Sequence, residues 1–147
     1  MGGSYNYPSP PVARKAAADL NPYRILKGNA NDGEVLQSSA AADKHLGVSG
    51  PDAVTSGNTA SLHVDGIVPV EYGGNVAVGD PLTSDANGKA VVATAGQRSI
   101  GFAQEVGDDG TIGSAHLAPH YVFNIAPGAD GQVLTSTGTA WQSEVVP

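Results

Sequence analysis

Tight-turn dipeptides punctuate this chain: Asp32-Gly33, Asp65-Gly66, Gly73-Gly74, Asn87-Gly88, Asp109-Gly110 and Asp130-Gly131. Each can supply the positive φ that reverses a chain without steric cost. Asn87-Gly88 is the sharpest of them, because "PLTS" before it and "KAVVA" after it suit the two arms of a type I′ hairpin. Residues 23–28, 61–72, 90–94, 99–106 and 112–118 are short, rich in Val and Ile, and bounded by turn residues. Their spacing predicts strands of about five or six residues. The expected fold is mainly β, a small barrel-like or sandwich domain of short antiparallel strands. Two stretches read as helical instead: 12–20, from its alanines and Leu20, and 38–47, as a turn or two closed by Gly47.

Composition explains why such a domain needs company. Twenty glycines and ten prolines against an aromatic share of 5% give many turns and few large core side chains. No cysteine is present, so no disulfide can compensate, and self-association is the available remedy. No apolar run is long enough to span a bilayer, which argues against a membrane protein.

Charge divides the chain. Residues 1–27 carry +3 and residues 28–147 carry −10, so a basic N-terminal stretch precedes an acidic body. An acidic body repels nucleic acid, and four dispersed bases make a weak footprint for it, so a protein surface is the expected target. Residues 1–24, with "YPSPP" and no regular period, read as an extended arm ordered on binding. Residues 25–122 read as the β domain. Residues 123–147 read as a C-terminal tail or a short β segment.

A phrase recurs within the β region. "GEVLQS" at 33–38 and "GDPLTS" at 79–84 are each followed by a hydrophobic-Gly-hydrophobic strand and then by a strand holding a His. The order suggests two copies of one unit, 33–72 and 79–122, packed about a pseudo-two-fold axis into one core. Gly47 and Gly101 would be equivalent points of close backbone approach, and Leu36 and Leu82 equivalent core residues.

Candidate chemistry is thin. His63 and Asp65 share one face of an expected strand, and His116 and His120 flank Pro119, so a zinc set can be drawn. No His-Glu-x-x-His or paired-Cys pattern supports it. No Gly-x-Ser-x-Gly elbow or phosphate loop occurs, and the acid pair Asp108-Asp109 sits at a turn tip in open water, a poor setting for acid-base work. The expectation is a non-enzyme without metal or cofactor.

The spacing Val78, Gly79, Asp80, Leu82, Asp85, Gly88, Val91, Ala93, then Ile100-Gly101-Phe102, then an acidic turn at 108–110 leading to a strand at 112–117, resembles the tailed-phage capsid decoration, or cement, proteins. The likeness spans about 24–120. "PGADGQVLTSTGTAWQ" instead looks like a short module of phage fibre proteins. The resemblance implies a trimer on the outer surface of the virion head that binds the major capsid protein. Tyr5, Tyr7, Arg14, Lys15, Tyr23 and Arg24 are then the expected capsid contacts. The alternative is a head-fibre or glycan and receptor-binding module presenting Trp141.

Overall fold

The computed structural model describes residues 10–123 and, beyond them, strands 132–136 and 141–145. Strands β1 (Val12–Ala16), β2 (Ile25–Gly28), β3 (Glu34–Gln37), β4 (His45–Ser49) and β5 (Thr59–His63) close into a barrel in the order β1-β3-β2-β4-β5. Strands β6 (Ile67–Glu71), β7 (Pro81–Ser84), β8 (Ala90–Val92), β9 (Arg98–Ala103) and β10 (Ile112–Tyr121) form a second sheet in the order β6-β10-β9-β7-β8. A hairpin of β11 (Gln132–Ser136) and β12 (Trp141–Val145) follows, with Trp141 opposite Ser136.

The two sheets are one unit used twice. The first runs β3-β2-β4-β5-β1 and the second β8-β7-β9-β10-β6, so each strand of one has a counterpart in the other. Registers agree residue by residue. Leu26 faces Gly47 across β2 and β4 as Leu82 faces Gly101 across β7 and β9. The parallel pairing of Ala16 with Val35 that closes the first barrel returns as a single bridge between Tyr72 and Ala90, which draws the two edges of the second sheet together into a looser second barrel. The bridge Leu20 to Val54 returns as Val76 to Gly107. A Cβ on Gly47 would collide with the carbonyl of His63, and one on Gly101 with that of His116. Both glycines therefore mark close backbone approaches, as their sequence setting suggested.

The phase of the repeat differs from the sequence reading. The copies are β1–β5 and β6–β10, and the counterpart of Leu82 is Leu26, with both side chains fully buried. Leu36 lies on β3, across from Lys27, at the place that Val91 holds on β8. The difference arises because "GEVLQS" and "GDPLTS" look alike but occupy different strands of the unit. Residues 61–72 do not form one strand, because the Asp65-Gly66 turn divides them into the end of β5 and the whole of β6.

No helix occurs among the described residues. Val12–Ala16 pairs with β5 on one side and β3 on the other, so this part of the expected arm is a barrel strand rather than a free strap. Residues 40–43 form a turn, fastened by the Asp43 carboxylate, which accepts bonds from the Ser39 and Ala40 amides at 2.8 and 3.1 Å. Local side-chain bonding of this kind competes with helix formation.

Packing gives two cores rather than the single one expected. Ala16, Leu20, Leu26, Val35, Ala60 and Leu62 fill the first barrel. The second cluster centres on Tyr72, the largest fully buried side chain, and is joined by Ile25 and Val48 from the first unit. Volume is exchanged between copies. Where the first barrel has Ala16, Val54 and Ala60, the second has Tyr72, Gly107 and Gly113, and both glycines lie directly against the Tyr72 ring. The Tyr72 hydroxyl donates to the carbonyl of Glu105 at 2.7 Å, so its one polar atom is satisfied in the core.

Candidate interaction surfaces

The seam between the barrels is built around the Asn87-Gly88 turn. Gly88 has φ 74° and sits against Gln37, Ile25 and Arg24, so the turn residue with no side chain allows the hairpin tip to meet the first barrel's backbone. The Ile25 amide donates to the Gly88 carbonyl at 2.8 Å. The Arg24 guanidinium and the Gln37 side-chain amide both donate to the Asn87 carbonyl, at 2.8 and 2.6 Å. Asp85 prepares this tip by accepting from the Asn87 and Lys89 amides at 2.8 and 2.9 Å.

Ion pairs reinforce the seam. Arg24 lies 3.4 Å from Glu71, Glu71 lies 3.0 Å from Lys89, and Lys89 lies 3.1 Å from Asp109. The bonds to Glu71 and then to Asp109 hold the Lys89 ammonium above its ordinary pKa. His45 bridges the same seam, with Nδ1 3.0 Å from Ser38 Oγ in the first unit and Nε2 3.4 Å from Thr83 Oγ1 in the second. Burial lowers its pKa, and the charges of Arg98 and Lys27 act in the same direction, while a backbone bond with Ala41 and the Asp43 charge oppose them.

The residues expected to contact a capsid are therefore dispersed. Tyr5 and Tyr7 lie outside the described residues. Arg24 is 13% exposed and engaged across the seam, and Tyr23 adopts φ 59° and offers its carbonyl to the Glu71 amide at 2.9 Å. The Arg24 side chain is thus committed to the seam, whereas Tyr23 contributes its backbone carbonyl to it and keeps a half-buried side chain. Arg14 and Lys15 remain at the surface of β1, Lys15 being 60% exposed and 3.5 Å from Glu34. Bonds from Asn31 and Asn29 hold the Glu34 carboxyl below its ordinary pKa, with Lys15 contributing. Trp141 lies on β12, where only the strand is described.

The histidines do not gather. His63 and His116 hold equivalent positions in different barrels, one across from Val48 and the other across from Phe102. His120 stacks on Phe102 with centroids 4.7 Å apart and lies 2.8 Å from the Ala118 carbonyl. Among the described residues no three His, Asp or Glu side chains converge as a metal site.

Sequence reasoning missed a surface around Arg98. This residue lies over the Tyr121 ring at 5.7 Å and borders two recesses, one with Leu46, Val64 and Pro119, the other, of about 310 Å³, with Ala41 and Tyr121. Tyr121 and Phe123 are 56% and 71% exposed. In a chain so poor in aromatic residues, the alternation of Tyr121 and Phe123 at a strand end was the available signal.

The N base of the head fibre protein gp8.5 of bacteriophage phi29 has a similar structure, with a TM-score of 0.60 and 20% sequence identity over 73% of this chain and 92% of that one. This likeness is one of fold. No curated protein sequence matches the chain. The sequence profile of the phage cement proteins matches residues 25–117, from the first residue of β2 into β10. The chain thus belongs to the phage cement protein family, structural proteins of the bacteriophage head.

Proposed function

We propose that this protein is a capsid decoration protein that binds the outer surface of a phage head as a trimer and fastens neighbouring major capsid proteins. The observation that carries the reading is the cement-family match across nine of the ten strands of the double barrel. The architecture suits a clamp. Two barrels fastened by backbone bonds and ion pairs form a stiff body, and stiffness limits the ordering cost of gripping a partner. The exposed Lys15 and the half-buried Arg14 beside it, together with the aromatic surface around Arg98, offer the cationic and apolar contacts that such a partner would meet. Repetition over a symmetric shell multiplies weak contacts through effective concentration.

The test is co-sedimentation of the full chain with heads lacking it, beside a chain shortened by residues 1–9. A deletion of residues 1–24 would remove β1 and open the barrel. Saturable pelleting, weakened by the shorter deletion, is the expected result, and no pelleting of either chain would refute the reading. A second reading, the base of a head fibre, is favoured by the structural likeness to gp8.5. It predicts binding at few sites per head rather than saturation over the lattice.

A further inference from the structure

The two barrels meet through different parts of the same unit. The first contributes Arg24, Ile25 and Val48, and the second contributes Glu71, the Asn87-Gly88 turn, Ile100 and Leu117. Each barrel thus has one face in the seam and retains the counterpart of its partner's face. On the second barrel the counterparts of Arg24, Ile25 and Val48 are Asp80, Pro81 and Phe102. On the first, those of Glu71, Gly88, Ile100 and Leu117 are Lys15, Gly33, Leu46 and Val64.

Both leftover faces keep partly exposed apolar side chains. Ile25 and Val48 are fully buried, whereas Phe102 is 37% exposed and Val78, two residues before Asp80, is 67% exposed. Ile100 and Leu117 are 3% and 8% exposed, whereas Leu46 and Val64, which wall the recess beside them on one side, are 46% and 41% exposed. Gly88 is packed on three residues of the first barrel, but Gly33, with nearly the same φ of 76°, has nothing within 4 Å of its Cβ position.

The charges are complementary as well. Glu71 holds Lys89 of its own barrel while also receiving Arg24 across the seam. Lys15, at Glu71's place, holds Glu34, which stands at Lys89's place, and Asp80 stands at Arg24's. The leftover faces therefore carry the seam's triad with every sign inverted. A plus-minus-plus arrangement inside the chain corresponds to a minus-plus-minus arrangement between open faces.

We propose that a second copy of this chain docks head to tail, setting its first-barrel edge of Lys15, Gly33, Leu46 and Val64 against the Asp80-Pro81-Phe102 face of this one. The contact repeats the internal seam, with Asp80 of one copy paired to Lys15 of the next. Such an interface is heterologous, so it closes a ring when its rotation permits. The inference deepens the self-association in the proposed function and rests on it.

Sedimentation of the full chain over a concentration series tests it, using Lys15→Glu, Asp80→Lys and the double variant, with thermal unfolding as the folding control. The natural chain assembles, each single reversal weakens assembly about 10-fold or more by placing like charges opposite, and the double variant recovers it. If the natural chain assembles and both single variants match it, the head-to-tail contact is wrong and self-association stands. If the natural chain stays monomeric throughout, self-association itself fails, and this inference with it. Assembly lost in both single variants and still absent in the double variant, with folding intact, also overturns the pairing.

Discussion

Replacing Gly113 by Ala tests the volume exchange between the barrels most sharply. The added Cβ would fall on the Cζ, Oη and Cε2 atoms of Tyr72, a ring that is fully buried and anchored by its hydroxyl to Glu105. Gly113 has an ordinary φ, so the substitution adds volume without backbone strain. Overpacking of this kind costs about 1–3 kcal/mol, and displacement of the ring from its bond to Glu105 pushes the cost toward the upper end. Tyr72→Ala alone should cost about 3–5 kcal/mol by leaving a cavity. In the double variant the side chains become those of Ala16 and Ala60 in the first barrel, and the cost of the methyl group at 113 disappears. Urea denaturation of the four chains, read as a double-mutant cycle, should give a coupling of about 1–3 kcal/mol. Additivity within about 0.5 kcal/mol would refute the reasoning, because it would mean that Gly113 is not small on account of Tyr72.

Three further outcomes follow from the seam. Arg24→Ala should lower stability by about 1–3 kcal/mol in denaturant titration, because it removes bonds to Asn87 and Glu71, whereas Lys15→Ala, at an exposed pair, should cost less than about 0.5 kcal/mol. Gly33→Ala and Gly88→Ala carry similar costs for positive φ, roughly 1 kcal/mol, but only Gly88→Ala adds a clash with Gln37; equal losses of stability would contradict the assigned seam. His45 has a folded pKa below its ordinary 6.5, so the unfolded chain binds its proton more readily and stability falls as pH drops below about 6.5. His45→Gln should flatten part of the fall in melting temperature between pH 7 and 5, and an unchanged slope would show that the ring is not the titrating group.

The fold class was legible because its signals are local. Each Asp-Gly or Asn-Gly turn fixes a reversal, and the Val- and Ile-rich runs between them have no other use in a chain this short of helix period. The repeat was legible in kind but not in phase, since Gly-x-x-Leu-x-Ser occurs on both β3 and β7, whereas the true equivalence of Leu26 and Leu82 is written in hydrogen-bond register. β1 was hidden because "VARKA" has a weak alternation and its partners, β3 and β5, lie far along the chain. For the same reason Arg24 read as a free basic residue: nothing in sequence announces that its partners are Asn87 and Glu71. The surface around Arg98 was missed because its members come from β4, the residue after β5, β9 and β10, and the exposed Tyr121 and Phe123 are its one local sign.

The claim that this protein fastens the head is tested most directly by heating DNA-filled heads that lack it and recording the temperature at which a DNA-binding dye gains access. Adding the full chain should raise that temperature, with the effect saturating as binding saturates. Saturable binding that leaves the rupture temperature unchanged would contradict the account, since it would show a protein that attaches to the shell without holding it together.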